Sequence, residues 1–319
     1  YLDYLELGQI KEWDELISVG RFGRIKLEMF QIVNCLKYIA RNQIQTKFKL
    51  HNITKIPSLA QRSYAINKFY KTTSIIENSD SYGVLLDNSK LKTPLGKELI
   101  INNKALALAV AEEWDMQKEH IKTDPMHLTK LCFLAVDNPS DLSEHEVVQQ
   151  ILSYLETDTV FFISDTDNEL EKLLMEKWMP LIQKFNGYFD TNLKPSKGIS
   201  VESLDAHTKA LVEKYFLSLG FPALHGVLHA VETLKSLVLT TCCLHQDISV
   251  KDAVLLSKME EEYQCMKWGR VDWIKDYTDN DSVIRLSAAM LFIYYTLNPK
   301  YKPLAKQDNH TQIQQSLKQ

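Results

Sequence analysis

The feature that most constrains this chain is a change of period at Asn102-Asn103. Before it, apolar and polar residues alternate in short runs at Lys71–Ile76, Tyr82–Leu86, Lys90–Lys92 and Lys97–Ile101. Asp87-Asn88-Ser89 and Pro94-Leu95-Gly96 separate these runs with residues that tolerate turn dihedrals, so the pattern predicts a small antiparallel meander. After it the period is helical. Asn102-Asn103 offers a cap, the Ala-rich run Ala105–Ala111 leads into Glu112-Glu113-Trp114, and Leu106, Val110 and Trp114 fall on one face. Further helices are predicted over 126–136, 144–155, 168–185, 203–219, 223–244, 249–268 and 281–297. Asp124-Pro125, Asn138-Pro139, Lys194–Gly198 and Asn298-Pro299 supply the breaks, and beyond the meander only Thr159–Ile163 has strand character. The expected fold class is α+β, with a small β-rich N-terminal domain (65–102), a larger all-helical domain (103–300) and a polar, frayed tail (301–319).

Composition removes several classes. With 45% apolar and 24% charged residues in 319, the chain has material for one large or two modest cores, which excludes collagen-like, low-complexity and fully disordered readings. The net charge of -4 hides an uneven distribution. Residues 1–28 carry four bases and six acids, residues 29–64 carry six bases and no acid, and residues 65–319 carry 27 bases and 35 acids. A mildly acidic body argues against a nucleic-acid partner, because phosphate binding needs a clustered basic face. No segment supplies the ~20 mostly apolar residues of a membrane span, so stable membrane insertion is not expected. The richest stretch, Val227–Leu244, is interrupted by His229, Glu232 and Lys235 and reads as a buried core helix. Cys132, Cys242, Cys243 and Cys265 lack C-x-x-C spacing and read as reduced, packing cysteines.

The stretch from Met29 mixes apolar residues with evenly spaced bases and lacks carboxylates until Glu77, as a mitochondrial transit peptide does. Arg62-Ser63-Tyr64-Ala65 resembles a matrix-peptidase cleavage pattern, so residues 29–64 are expected to be removed, together with Cys35. Residues 1–28 fit neither leader nor body and are expected to lie upstream of a start at Met29.

The body contains no assembled catalytic motif. His225 and His229 have metal-ligand spacing on a helix, but the intervening residues lack the Glu of an H-E-x-x-H site, so core or boundary histidines are expected. Asp165, Asp167, Glu169 and Glu176 faintly follow a calcium loop, yet Leu170 stands where the sharp turn needs Gly, and a solvated loop capping the next helix is expected. Gly96-Lys97 lacks the upstream Gly of a phosphate loop. The densest polar signal is Lys258–Gly269. Leu256, Met259, Tyr263 and Met266 form a stripe expected to pack inward, while Glu260, Gln264 and Trp268 form a second stripe within about 80° of helix surface. A carboxylate, an amide and an indole on one rigid face suit protein recognition; a solvated Glu cluster beside a core Trp is the other reading. Lys235, set among Val231, Leu234, Leu237 and Val238, is expected to be buried and paired with Glu232 or Glu260.

An ordered series of short motifs runs through the body. It comprises Lys68-Phe69-Tyr70-Lys71, Leu86-Asp87, Leu91-Lys92-Thr93-Pro94, Ala111–Gln117, Met126-His127-Leu128-Thr129 and Asp137-Asn138-Pro139. Tyr154–Thr159, Leu234-Lys235-Ser236, Glu260–Gly269, Val271-Asp272-Trp273 and Asp276 complete it. Together, over Lys68–Leu297, these motifs resemble the mitochondrial ATP synthase F(1) complex assembly factor 2 family, chaperones of the F(1)-ATPase alpha subunit. The chain departs from its relatives at Lys275-Asp276, where they often carry His-Asp. The resemblance implies a matrix protein that binds rather than catalyses, with the alpha subunit as partner, no cofactor or metal, and a monomeric free state. It implies Glu260 as the foremost functional residue. The expected partner-binding face is Glu260, Gln264 and Trp268 continued by Asp272 and Asp276, with Trp114, Asp158 and Lys235 as scaffold. Two alternatives stand beside it: a metal-dependent matrix enzyme using scattered acids such as Glu113, Asp158 and Glu260, and a passive helical scaffold.

Overall fold

In the computed structural model, residues 66–78, 81–163, 168–197, 204–269 and 272–297 are described, with backbone alone for 272–277. Residues 1–28, the expected transit peptide over 29–64 with the expected cleavage pattern at Arg62–Ala65, Cys35, Asp165, Asp167 and the 301–319 tail lie outside the described residues.

The meander forms as the alternation requires. Strands β1 (Ile66–Asn67), β2 (Thr73–Asn78), β3 (Ser81–Leu86), β4 (Ser89–Lys90) and β5 (Ile100–Ile101) precede the first described helix. Strands β2 and β3 pair antiparallel from Thr73↔Leu86 to Asn78↔Ser81. β4 and β5 both pair with β3, at Leu86↔Ser89 and at Tyr82↔Ile101. The Asp87 turn uses the left-handed region (φ 53), and its carboxylate accepts from the backbone N–H groups of Lys71 (3.0 Å) and Thr72 (2.9 Å). Those amides hold the Asp87 carboxyl below its usual range and tie the turn to the start of β2.

Helix α1 (Lys104–Asp115) begins where expected, with the Asn103 side chain accepting from Ala105 and Leu106 backbone N–H. Its Leu106, Ala107, Val110 and Trp114 are buried, and α1 packs on β2, β3 and β5, whose Val84, Leu86 and Ile101 are buried too. The sheet therefore closes on the first helix. Strand β6 (His120–Ile121) returns to pair with β1.

Nine more helices follow among the described residues: α2 (His127–Asp137), α3 (Glu144–Glu156), α4 (Asn168–Phe189), α5 (Ala206–Leu217), α6 (Phe221–Leu234), α7 (Leu237–Leu244), α8 (Val250–Ser257), α9 (Met259–Trp268) and α10 (Asp272–Leu297). Thr159–Ile163 opens as a 3-10 turn and ends as a short strand, β7 (Phe162–Ile163), parallel to β8 (Ser196–Lys197). All eight residues of α7 are buried, as a helix apolar on every face demands, and it sits inside the bundle made by α3, α4, α6 and α8. Helices α6 and α10 approach so closely that a Cβ on Gly226 would lie 2.6 Å from an Ile293 side-chain carbon. The large core draws on α3 to α8 and on α10, among them Leu155, Phe185, Phe216, Leu234 and Leu286.

Three expected helices differ in extent. The 223–244 run is two helices, because Lys235 turns into the left-handed region (φ 57) and Ser236 caps the next segment through Leu239 N–H. The 249–268 run breaks at Lys258, whose backbone (φ -112, ψ 20) leaves the helical region. The last helix begins at Asp272, nine residues before position 281.

Candidate functional site

Helix α9 differs from every neighbour. None of its ten residues is buried. Of the stripe expected to face the core, Leu256 in α8 and Met259 and Tyr263 in α9 are partly buried against the large core, but Met266 is 78% exposed, correcting its expected inward packing. The helix runs past the edge of the bundle, so the last position of the stripe has no core beneath it. On the second stripe Gln264 is exposed and Trp268 is 75% exposed, which removes the reading of a core Trp. Glu260 is half-buried, and burial raises its carboxyl above the ordinary value. Tyr263 hydroxyl donates to Glu169 of α4 (3.3 Å), which ties α9 to α4, and the Trp178 indole N–H of α4 donates to the Leu256 carbonyl in the last turn of α8 (3.1 Å). Asp272 and Asp276 fall in the first turns of α10, and their side chains lie outside the described residues.

The scaffold residues have distinct surroundings. Asp158 is fully buried; one carboxylate oxygen accepts from Val160 N–H (3.1 Å) and the other from Val238 N–H in α7 (2.9 Å). It thus caps the 3-10 turn and the core helix together, and burial pushes its carboxyl up to about 6. Trp114 is buried beside Tyr70, whose hydroxyl donates to the Trp114 carbonyl (2.7 Å). Lys235 corrects its expectation. Its backbone serves as the helix cap, its side chain is exposed, and its ammonium lies 5.8 Å from the Tyr154 ring centroid rather than in the core.

Two carboxylates that sequence reading left without this role join the sheet to the bundle. Helix α2 has no side-chain cap of its own, and Glu113 of α1 supplies one, accepting from Leu128 N–H (2.9 Å), Thr129 N–H (2.7 Å) and Thr129 hydroxyl (2.6 Å). Burial pushes the Glu113 carboxyl up to about 7. At the other end of α2, buried Asp137 accepts from Thr93 hydroxyl (2.6 Å) and Leu95 N–H (3.1 Å). Both acids sit in the last turn of a helix, where the macrodipole disfavours them, and that misfit was a readable signal of a partner elsewhere.

His225 is buried and His229 half-buried, and the Nε2 atoms of both lack a hydrogen-bond partner among the described residues. Burial lowers both, as expected of packed histidines rather than ligands. Among the described residues no three His, Cys, Asp or Glu side chains gather in a metal-holding group. Cys132, Cys242, Cys243 and Cys265 form no disulfide among the described residues. No described helix is long and apolar enough to cross a membrane.

A sheet closed by one helix and a buried bundle make up the described fold, and comparison with known proteins shows what class it resembles. Residues 67–186 match the family model described as ATP12 chaperone protein. Over 258 residues the chain is 23% identical to "Protein atp12, mitochondrial" of Schizosaccharomyces pombe, covering 77% of this chain and 88% of that one. It is 24% identical over 303 residues to "Protein ATP12, mitochondrial" of Saccharomyces cerevisiae, covering 81% and 91%. The crystal structure of Atp12 from Paracoccus denitrificans matches with a TM-score of 0.65 at 26% identity, covering 72% of this chain and 98% of that one. The chain is similar to ATP12 chaperones in sequence and in its α+β fold, and its relatives are chaperones rather than enzymes.

Proposed function

We propose that this chain is an ATP12-type chaperone of the mitochondrial matrix. It binds the unassembled F(1)-ATPase alpha subunit, shields the surface meant for the beta subunit and promotes assembly of the F(1) sector. The observation that carries this reading is α9, whose Trp268 stands 75% exposed in line with Gln264 and Glu260. An unassembled subunit exposes apolar interface and aggregates, and a protein that covers it must itself offer a mixed apolar and polar face that a better partner can displace. The aromatic supplies area, and the amide and carboxylate supply direction. Glu260 is the foremost contact, with Gln264, Trp268, Asp272 and Asp276 around it.

A pull-down from mitochondrial extract with the full chain tests the reading: the alpha subunit should be retained in stoichiometric amount, and its absence overturns the proposal. Replacing Glu260 by Lys should abolish capture while leaving the circular dichroism of the fold intact. If Glu260→Lys unfolds instead, Glu260 is a structural residue.

A further inference from the structure

The break between α8 and α9 falls where the sequence asks for a continuous helix. Residues Leu255 to Glu260 include neither Gly nor Pro, and all but Ser257 are good helix formers. In an unbroken helix the Val254 carbonyl would accept from the N–H of residue 258 and the Leu256 carbonyl from that of residue 260. Here the Ser257 hydroxyl donates to the Val254 carbonyl (2.8 Å), and the Lys258 N–H turns to the Leu255 carbonyl (3.2 Å). The Leu256 carbonyl accepts from the indole N–H of Trp178, a buried residue of α4 (3.1 Å). The Lys258 ammonium then reaches Asp279 of α10 (2.8 Å) in a partly buried pair. Two neighbouring helices therefore grip the chain at the point where it bends.

We infer that Trp178, Lys258 and Asp279 are positioning residues of the client-binding face: they fix an elbow at Lys258 and so set the direction in which α9 presents Glu260, Gln264 and Trp268. The elbow immediately precedes α9, whose first turn carries Glu260. Trp268 stands about 15 Å further along the axis, so a change of about 20° at the elbow displaces it by about 5 Å. A displacement of that size exceeds the tolerance of a hydrogen-bonded contact. The sequence alone would let α8 run on into α9 and carry the stripe elsewhere. The Trp178 N–H opposes that by engaging the carbonyl that the longer helix requires, and the Lys258–Asp279 pair holds the bent chain against α10. The inference rests on the alpha-subunit reading of α9, and it adds residues that act on the client through the orientation of others.

The experiment measures binding of purified alpha subunit to the full chain and its variants, together with urea midpoints and amide hydrogen exchange. Trp178→Phe keeps a ring in the core and removes the N–H, which makes the Leu256 carbonyl available to the Glu260 amide. Affinity should fall about tenfold, and the Glu260 amide should exchange more slowly than in wild type. A contact that served stability alone would lower the urea midpoint, leave the affinity of the folded chain unchanged and speed that exchange. Lys258→Glu and Asp279→Lys should each weaken binding about threefold, and the double reversal should restore it. These partly exposed positions carry the test if Trp178→Phe does not fold. Unchanged affinity in Trp178→Phe and in both single reversals overturns the inference while the client reading stands. If only Trp178→Phe weakens binding, Lys258 and Asp279 are not positioning residues. If the wild type does not bind the alpha subunit at all, the client reading falls and the positioning role with it.

Discussion

Glu113-Trp114 on α1 and Glu260 with Trp268 on α9 use the same two residue types for opposite ends. The first pair is turned inward. Trp114 fills the space beside Tyr70, and Glu113 gives its oxygens to the amides that open α2. The second pair stands at a surface where no residue of its helix is buried. A carboxylate next to helix-terminal N–H groups is a structural cap, whereas one beside an uncovered indole remains available to a partner. Residue type therefore does not separate scaffold from contact in this chain; what lies beneath the helix does.

The largest effect on this contrast should come from the sealed side. Asp158→Ala leaves buried amides of the 3-10 turn and of α7 unsatisfied and should cost about 3–4 kcal/mol, read from urea denaturation. Asp158→Asn keeps acceptor capacity at one oxygen and should cost less. Equal losses for the two variants would show that capping is not what Asp158 contributes.

Next comes Gly226→Ala. The added carbon would lie 2.6 Å from an Ile293 side-chain atom and 3.0 Å from one of Phe292, so α6 and α10 must separate or their side chains shift. A loss of about 2 kcal/mol is expected by thermal unfolding. An unchanged melting point would mean that the α6–α10 contact yields without cost.

Much of the sealed side was legible in the sequence because its causes are local. Alternation placed β2 and β3, Asn103 announced α1, and the apolar run 227–244 announced the central helices. The break at Lys235 was not legible, because a lysine in the left-handed region is imposed by the fit of α6 and α7 around Asp158 rather than by its own preference. The same long-range cause hid the roles of Glu113 and Asp137, whose partners lie 15 and 44 residues away. On the open side the Glu260, Gln264, Trp268 stripe was readable from spacing, but the exposure of Met266 depended on where the bundle ends.

A smaller effect should appear in pH dependence. Glu113 has its folded value raised to about 7, so between its unfolded value near 4.5 and 7 the folded state holds the proton more tightly. The stability of wild type relative to Glu113→Gln should therefore rise as pH falls from 7 to 4.5 and level off on either side. His127 and His245, both lowered to about 4 by burial, penalise the folded state as pH falls below 6.5, but they are common to both proteins and cancel. Urea titrations at three pH values decide it. A constant difference would mean that Glu113 stays ionised in the folded protein throughout this range.

The smallest stability change should belong to the residue with the largest proposed binding effect. Trp268 is three-quarters exposed in the last turn of α9, so Trp268→Ala should alter unfolding free energy by no more than about 0.5 kcal/mol. Trp114→Ala, of identical chemistry, should lose about 3 kcal/mol, because it empties a buried site between the sheet and α1. If both variants were equally destabilised, α9 would be part of the packed body, and the division between a sealed scaffold and an open contact helix would fail. If instead Trp268→Ala unfolds like wild type and no longer retains the alpha subunit, stability and capture are carried by different tryptophans.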